Sequence, residues 1–359
     1  MGERSAVVAA VGDIVQSRPI GEPPRHSAVG RTLALLRDAD LVSASLEMPY
    51  SRRGEPRDKL IAFRADPDLA AGLRAFDLGV ACLANNHSLD HGWEALADTM
   101  ARLDELGISH VGAGADLDAA QRGRVLAAGG LRIGVVGVSC LLPVGAAAGD
   151  GRAGIAPLRI HTAYEVDAHA QMEEPGVPPI VRTRADERDL VRVCREIERL
   201  RSEADVVLVS IHWGFGMGPE LAEYQRPLAH RLVDAGADAI LGHHVHGLQG
   251  VEVHRGVPIV YSPGNFVAQQ PRDGEPPEVL EIYDRMSPDG VIALLAVAPD
   301  GCSSLRLVPT VVDADGLPGL ARERDARRIG ARIAALSAPF GTTAAWDDDL
   351  GALVVSLDA

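Results

Sequence analysis

Lysine is almost absent from this sequence, and cysteine, aromatic residues and long apolar runs are scarce. The single lysine, Lys59, stands among 35 basic and 50 acidic residues, which give a formal net charge of −15 over 359 residues. An acidic balance disfavours nucleic acid or an anionic membrane surface as the main partner. We therefore expect no nucleic-acid partner and no membrane partner.

The few cysteines and the lack of long apolar runs exclude further classes of protein. Cys82, Cys140, Cys194 and Cys302 are widely spaced and form no CxxC pair, which indicates neither a disulfide framework nor a zinc–thiolate site. The first apolar stretch is too short for a signal peptide and is interrupted by Asp13. No later run approaches the ~20 apolar residues of a membrane span. The sequence predicts a soluble, cytoplasmic protein.

Short apolar runs separated by helical patterns make up most of the chain. Runs such as AVVAAVG, LGVACLA and DVVLVSIHW suit strands that are buried on both faces. Residues 92–107 and 186–202 have the spacing of amphipathic helices, and alternating strands and helices predict an α/β fold. The pattern of residue types changes near residue 319. We therefore expect one large domain over 1–318 and a helical appendage over 319–359 packed on it.

Polar side chains follow the ends of the predicted strands. In open α/β sheets, ligands bind at the carboxyl ends of the strands. The polar residues at these positions are Asp13, Arg18, Glu47, Asn85, Asn86, His87, Asp90, His212, His243, His244, His246 and Asn265.

Each of these motifs alone has an ordinary explanation. The segment ANNHSLD fits a turn, because Asn and Asp bond to their own backbone, and His212 fits a buried histidine whose ring is hydrogen-bonded. Together, however, carboxylates, amides and imidazoles at successive strand ends form a set of oxygen and nitrogen ligands without thiolates. The sequence therefore predicts a divalent metal site at this edge of the sheet.

The order of these motifs resembles the calcineurin-like metallophosphoesterase superfamily and, within it, the CapA (poly-γ-glutamate biosynthesis) family. The matching stretches include GDIVQSR, LEMPYS, LANNHSLDHG, IHWG and LGHHVHG. The resemblance implies a layered sandwich of central β-sheets flanked by helices, with Glu47 as a bridging carboxylate and His87 as a general acid. The implied metal ligands are Asp13, Glu47, Asn86, His212, His244 and His246, with His243 open as the alternative first member of the H-x-H pair.

The first motif departs from the superfamily pattern. D-x-H is replaced by Asp13-Ile14-Val15, so one imidazole ligand is missing, and Ser45 stands where the family usually has Asn. A two-metal centre needs both ions fully ligated, so we expect one ion, or a weak second one. Oxygen ligands favour Ca, Mg or Mn, with Zn as the alternative.

Three functions fit such a site. Inverting a stereocentre needs two acid/base groups, and the sequence offers His87 with Asp90, and His246 or His244 with Asp13. Because the chain resembles soluble CapA-like lasso-peptide epimerases, the first hypothesis is a peptide epimerase that inverts the C-terminal residue of a ribosomal precursor peptide. The alternatives are a metal-dependent hydrolase of a phosphoester or a poly-γ-glutamyl amide, and a non-catalytic subunit of capsule polymer synthesis.

A peptide substrate would also need binding residues outside the metal ligands. Arg18 and Arg64 suit bidentate binding of a terminal carboxylate, and Trp213 and Asn265 are further candidates. The alternatives are surface ion pairs for the arginines and core packing for Trp213. We expect Arg64→Ala to weaken binding of a free-carboxylate peptide more than binding of its amide. The sequence leaves the oligomeric state open.

Overall fold

The computed structural model describes residues 4–358, and in it the short apolar runs of the sequence form strands. In chain order the strands are β1 (Ala6–Val15), β2 (Leu41–Leu46), β3 (Leu78–Cys82), β4 (Ser109–Val111), β5 (Ala113–Gly114), β6 (Arg124–Ala128), β7 (Leu131–Ser139), β8 (Gly154–Ile155), β9 (Ile160–Glu165), β10 (Ile180–Ala185), β11 (Val206–His212), β12 (Ala239–His243), β13 (Val251–His254), β14 (Val257–Val260), β15 (Asn265–Ala268), β16 (Asp289–Ala298), β17 (Gly301–Val312), β18 (Pro318–Leu320), β19 (Ala344–Asp347) and β20 (Ala352–Val355).

Helices connect many of these strands. They are α1 (Ala28–Arg37), α2 (Gly92–Leu106), α3 (Leu117–Gln121), α4 (Ala168–Glu173), α5 (Glu187–Glu203), α6 (Gln225–Asp234), α7 (Pro277–Asp284) and α8 (Glu323–Ser337), with 3₁₀ helices at Pro67–Phe76 and Ala338–Phe340. The two helices predicted from periodicity are present as α2 and α5. Among residues 4–358, no helix combines the length and the apolar character that crossing a membrane requires.

Two large sheets carry the fold. The first has the order β19-β20-β17-β16-β1-β2-β3-β4, with β15 paired to β1 and β18 to β17. The second has the order β13-β14-β12-β11-β7-β6. Strands β1 to β4 are parallel to one another, and so are β7, β11, β12 and β14. Parallel strands present their carboxyl ends at one edge of each sheet.

Successive side chains along β1 alternate between two core clusters, which shows how the layers pack. Val8 and Ala10 join a core cluster that also contains β7, β11 and β12 residues of the second sheet. Ala9 and Val11 belong instead to the cluster formed with α1, α2 and the first 3₁₀ helix. This period of two is the signature of a strand buried on both faces. The predicted α/β architecture, with central sheets flanked by helices, is confirmed.

The C-terminal segment contains more than the helix expected over 319–359. Helix α8 is followed by β19 and β20, and β20 pairs antiparallel with β17 of the first sheet. The apolar run ALVV therefore extends the large sheet at its edge instead of continuing a helical appendage. The domain boundary at residue 318 stays a prediction.

Candidate metal centre

Polar side chains from both sheets meet where parallel strands end. Asp13 lies near the end of β1 and Glu47 directly follows β2, both in the first sheet. His212 and His243 are the last residues of β11 and β12 in the second sheet. All four side chains are buried, so the elements place charged and imidazole groups in the interior between the sheets.

One group of possible ligands consists of Asp13, Glu47 and His246, whose ligand atoms all lie within 4.8 Å of one another. Nδ1 of His246 is 3.6 Å from Asp13 Oδ2, and Nε2 of the same ring is 3.6 Å from Glu47 Oε2. Asn265 holds this ring, because its Oδ1 is 2.8 Å from His246 Nδ1. The imidazole is thus fixed with Nε2 directed to Glu47.

A second group shares Glu47 and adds His212 and His244. Nε2 of His212 is 2.9 Å from Glu47 Oε1 and 2.7 Å from Asn86 Oδ1. The rings of His212 and His244 lie edge to face with centroids 4.9 Å apart. Glu47 therefore belongs to both groups, which is the position expected of a bridging carboxylate.

The donor set fits a divalent metal ion. Both carboxylate oxygens of Glu47, Oδ1 of Asp13, and Nδ1 of His212 and His244 are buried and make no hydrogen bond within residues 4–358. Buried polar atoms are costly when they lack a partner. A cation with oxygen and nitrogen ligands would supply that partner, so these clusters are able to hold one.

The protonation of the site follows from burial and crowding. Burial and the charge of Asp13 raise the pKa of Glu47 to about 7. Burial also opposes the ionisation of Asp13, but the neighbouring histidines, His243 first, outweigh it and hold the pKa of Asp13 well below its usual range. Burial lowers the pKa of His212 and of His244, so both rings are neutral at pH 7 and keep a free lone pair.

The turn after β12 bears on whether His243 or His244 is the first member of the H-x-H pair. Nδ1 of His243 lies 3.2 Å from Asp13 Oδ1, whereas His244 belongs to the second ligand group. His244 and His246 have φ values of 103° and 49°, in the left-handed region that is unfavourable for side-chain-bearing residues. The backbone N–H of His244 donates to Asp13 Oδ2 at 3.0 Å. This geometry favours His244 over His243 as a ligand, and the assignment stays a prediction.

His87 forms a dyad with Asp90 in the loop after β3. His87 Nδ1 is 2.7 Å from Asp90 Oδ2, and the backbone N–H of Phe63 donates to the same oxygen at 2.7 Å. Lys59 Nζ donates to Asp90 Oδ1 at 2.6 Å. Sequence reasoning missed the role of Lys59, although its being the only lysine was a usable signal.

Asn85 holds the same loop against the first sheet. Its Nδ2 donates to the carbonyl oxygen of Leu46, the residue before Glu47, at 2.8 Å. Its Oδ1 accepts from the backbone N–H groups of His87 and Ser88. Asn85 therefore positions the loop that carries Asn86 and His87 relative to Glu47.

Two of the expected substrate-binding residues, Trp213 and Arg64, are not members of the ligand groups. Trp213 has no exposed surface, and its indole N–H donates to the carbonyl oxygen of Tyr261 at 3.0 Å. This corrects the expectation that Trp213 contacts substrate, because it is a core residue. Arg64 is exposed, and its guanidinium donates to the carbonyl oxygen of Gly54 at 3.4 Å.

The other two, Arg18 and Asn265, line one cavity. Asn265 is buried and pairs in register with Asp13 across β15 and β1. Its contact with His246 makes it a residue that orients a candidate ligand. Arg18 is exposed and donates to the carbonyl oxygen of Asp315 at 2.7 Å.

The model of the family described as "Bacterial capsule synthesis protein PGA_cap" matches residues 7–270. The chain belongs to this family. The match includes all six predicted metal ligands and the His87–Asp90 dyad, and the CapA-type family assignment made from the motifs is confirmed.

Individual relatives differ in how much of the chain they share. A "probable polyglutamine synthesis accessory protein" of Mycobacterium tuberculosis is 35% identical over 245 residues, covering 66% of this chain and 58% of that protein. The "PGA biosynthesis protein CapA" of Bacillus subtilis is 29% identical over 72% of this chain and 62% of its own length. An uncharacterized protein of Sinorhizobium fredii is 26% identical, and the match covers 96% of this chain and 92% of that protein. The match thus spans less than two thirds of the length of the mycobacterial and Bacillus proteins.

Proposed function

We propose that this protein is a divalent-metal-dependent acid–base enzyme that inverts the Cα of the C-terminal residue of a ribosomally made (lasso) precursor peptide. The observation that carries the proposal is that a hydrogen-bonded His87–Asp90 dyad and a second histidine, His246, accompany one buried ligand set. His87 Nδ1 is 2.7 Å from Asp90 Oδ2, and His246 Nδ1 is 3.6 Å from Asp13 Oδ2. Inversion needs one group that removes a proton and a second that returns one to the opposite face.

Proton transfer by His87 would use Nε2, because Asp90 occupies Nδ1 and fixes the tautomer. One group takes the proton from Cα, and the electron pair of the broken C–H bond moves into the adjacent terminal carboxylate. The second group donates a proton to the opposite face, and the pair returns to form the new C–H bond. A bound cation would supply electrostatic stabilisation of the negative charge that develops on the carboxylate oxygens.

His246 has two candidate roles in this scheme, ligand and proton carrier. Asn265 occupies its Nδ1, so Nε2 alone is available and cannot serve both purposes in one step. A His246→Asn variant that loses the ion would assign the ring as a ligand. A variant that keeps the ion and loses inversion would assign it as the second acid/base group.

We propose a single hard cation, Ca, Mg or Mn, with Zn as the alternative. Val15 replaces the missing imidazole and is fully buried in an apolar cluster, which argues against a complete second ion site. Asp13, Glu47 and Asn86 contribute oxygen atoms, and hard cations prefer oxygen ligands.

The test combines metal analysis with peptide turnover in heavy water. We expect one hard cation per chain and deuterium at a peptide Cα without cleavage of the peptide. In a His87→Ala protein we expect exchange from one face to persist while net inversion is lost. Inversion at the wild-type rate by this variant would exclude His87 as an acid or base.

Hydrolysis of a γ-glutamyl amide is the second candidate, because the same buried ligand set would suit an ion that activates water. The mycobacterial relative is described as a polyglutamine synthesis accessory protein and the Bacillus one as a PGA biosynthesis protein. Cleavage of a γ-glutamyl oligomer or of a phosphoester, without deuterium at Cα, would assign hydrolysis. Neither exchange nor cleavage by the ion-loaded protein would leave the role of a non-catalytic capsule-synthesis subunit.

A further inference from the structure

A cavity of about 250 Å³ borders the candidate metal centre at Asn265, the residue that holds Nδ1 of His246. Its wall is polar and comes from the end of β1, from β15 and from α7 with the segments around it. The lining residues used below are Arg18, Asn265, Arg272, Tyr283 and Asp313.

Tyr283 lines this cavity and carries a buried polar atom. Its side chain is 6% exposed, and its hydroxyl makes no hydrogen bond within residues 4–358. Burial raises the pKa of Tyr283, so the hydroxyl remains protonated and able to donate. The Tyr283 ring stacks on Phe63 at 6.4 Å, and Phe63 lies 4.4 Å from the His87 ring. Phe63 therefore stands between Tyr283 on the cavity wall and the His87 ring.

The charges around the cavity favour an anion. Arg18 makes one guanidinium hydrogen bond within the described residues, to the carbonyl oxygen of Asp315, and no ion pair there. Arg272 pairs with Asp284 at 2.7 Å in an exposed contact, which is weak in water. The negative lining residue, Asp313, already accepts the backbone N–H groups of Asp315 and Leu317.

We propose that this cavity binds the terminal carboxylate of a peptide substrate, with the Tyr283 hydroxyl donating one hydrogen bond and Arg18 and Arg272 supplying positive charge. The inference rests on the proposed function, since it binds the C-terminal end of the peptide beside Asn265, which contacts His246. Tyr283 and Arg272 lie beyond residues 7–270 of the family match. Arg18, the third residue of the proposed subsite, lies within the match.

The experiment measures binding and does not require turnover. N-acetylated tripeptides of mixed sequence are screened by saturation-transfer NMR, and the strongest binder is titrated as free acid and as amide. We expect the wild-type protein to prefer the acid about tenfold or more, as for a charge-assisted hydrogen bond. Tyr283→Phe and Arg18→Gln should each reduce this preference severalfold. Tyr164→Phe, which alters an exposed tyrosine outside the cavity lining, should leave it unchanged.

Stability and turnover separate the alternatives. Tyr283→Phe removes a hydroxyl without an intramolecular partner, so its Tm should be equal to or higher than that of the wild type. Equal affinity for acid and amide, no peptide binding at millimolar concentration, or an unchanged preference in Tyr283→Phe would each overturn the subsite. A preference for the acid without deuterium exchange would keep the subsite and reject the epimerase, and exchange without the preference would do the reverse.

Discussion

Lys59 contacts two acceptors of the loop that carries the dyad. Its Nζ lies 2.6 Å from Asp90 Oδ1 and 2.8 Å from the carbonyl oxygen of Asn86. The compact ammonium group on a flexible stem can reach acceptors in two directions, whereas a planar guanidinium has its donors in a fixed fork. This difference explains why a chain that otherwise uses arginine has lysine at this position.

Replacing Lys59 should weaken both the fold and the dyad. We expect Lys59→Met to lower the free energy of unfolding by about 1–3 kcal/mol, because it leaves a buried carboxylate with one acceptor oxygen unpaired. Urea unfolding measures this change. In an Asp90→Asn background the same substitution should cost clearly less. An equal cost in both backgrounds would show that Lys59 does not act through Asp90.

Ion affinity should rise with pH because of Glu47. Burial and the charge of Asp13 raise the pKa of Glu47 to about 7, above the 4.5 of an exposed glutamate. The carboxylate must lose its proton to bind a cation, so affinity should increase as pH rises towards 7 and level off above it. Titration calorimetry at pH 6 in two buffers of different ionisation enthalpy should detect proton release. Glu47→Gln should bind the ion more weakly and without this pH dependence.

At the scale of secondary-structure elements, close backbone contacts hold the strand ends in place. A Cβ atom on Gly12, directly before Asp13, would lie 1.9 Å from the carbonyl oxygen of Gly264, directly before Asn265. A Cβ atom on Gly242, before His243, would lie 2.1 Å from the carbonyl oxygen of Tyr261. Only glycine allows these approaches. In both β1 and β12, a glycine therefore stands directly before the site residue.

Gly12→Ala should therefore disturb the candidate metal centre, because it displaces the strand that carries Asp13. The clash is with backbone, so β1 or the segment before β15 must move. We expect a loss of about 1–3 kcal/mol of stability together with a loss of ion affinity. Gly21→Ala is the matched control, since a Cβ atom there meets nothing within 4 Å. Wild-type ion affinity in Gly12→Ala would mean that Asp13 does not need this strand position.

The sequence was sufficient to predict many of the elements and the convergence of their ends. Continuous apolar runs marked strands such as β1, and period-3.6 patterns marked α2 and α5. The polar residues after parallel strands lie close together, as Asp13, Glu47 and His212 do. The contact between Lys59 and Asp90 spans 31 positions, and such a contact leaves no periodic signal. The prediction for Trp213 was wrong because an aromatic residue after a strand has the same sequence context whether it faces the core or a groove.

At the scale of the whole molecule, the candidate ligands come from two separate sheets. Asp13 and Glu47 belong to the first sheet, and His212 and His244 to the end of the second. Without a cation, the carboxylates of Asp13 and Glu47 share a buried space and raise each other's cost of ionisation. A bound ion would relieve this repulsion and link the sheets.

Removing the ion should therefore lower global stability. At an ion concentration of about 100 times Kd, binding contributes about 2.7 kcal/mol, which corresponds to a Tm increase of about 5 °C. Differential scanning calorimetry with a chelator and with added Ca²⁺, Mg²⁺ or Mn²⁺ measures the shift. The Glu47→Gln protein should show a much smaller one. A wild-type Tm that does not respond to any divalent ion would contradict a metal centre at this place.

The single lysine also makes this protein a convenient substrate for site-selective labelling. Apart from the α-amino group, Lys59 is the one primary amine in the chain. It lies on the wall of a cavity of about 390 Å³, beside Asn86 and Asp90. Reductive ¹³C-methylation would thus place one internal NMR reporter next to the dyad without any mutation. Its resonance would shift when an ion or a peptide binds, which gives a direct readout of occupancy even for a ligand that is never turned over.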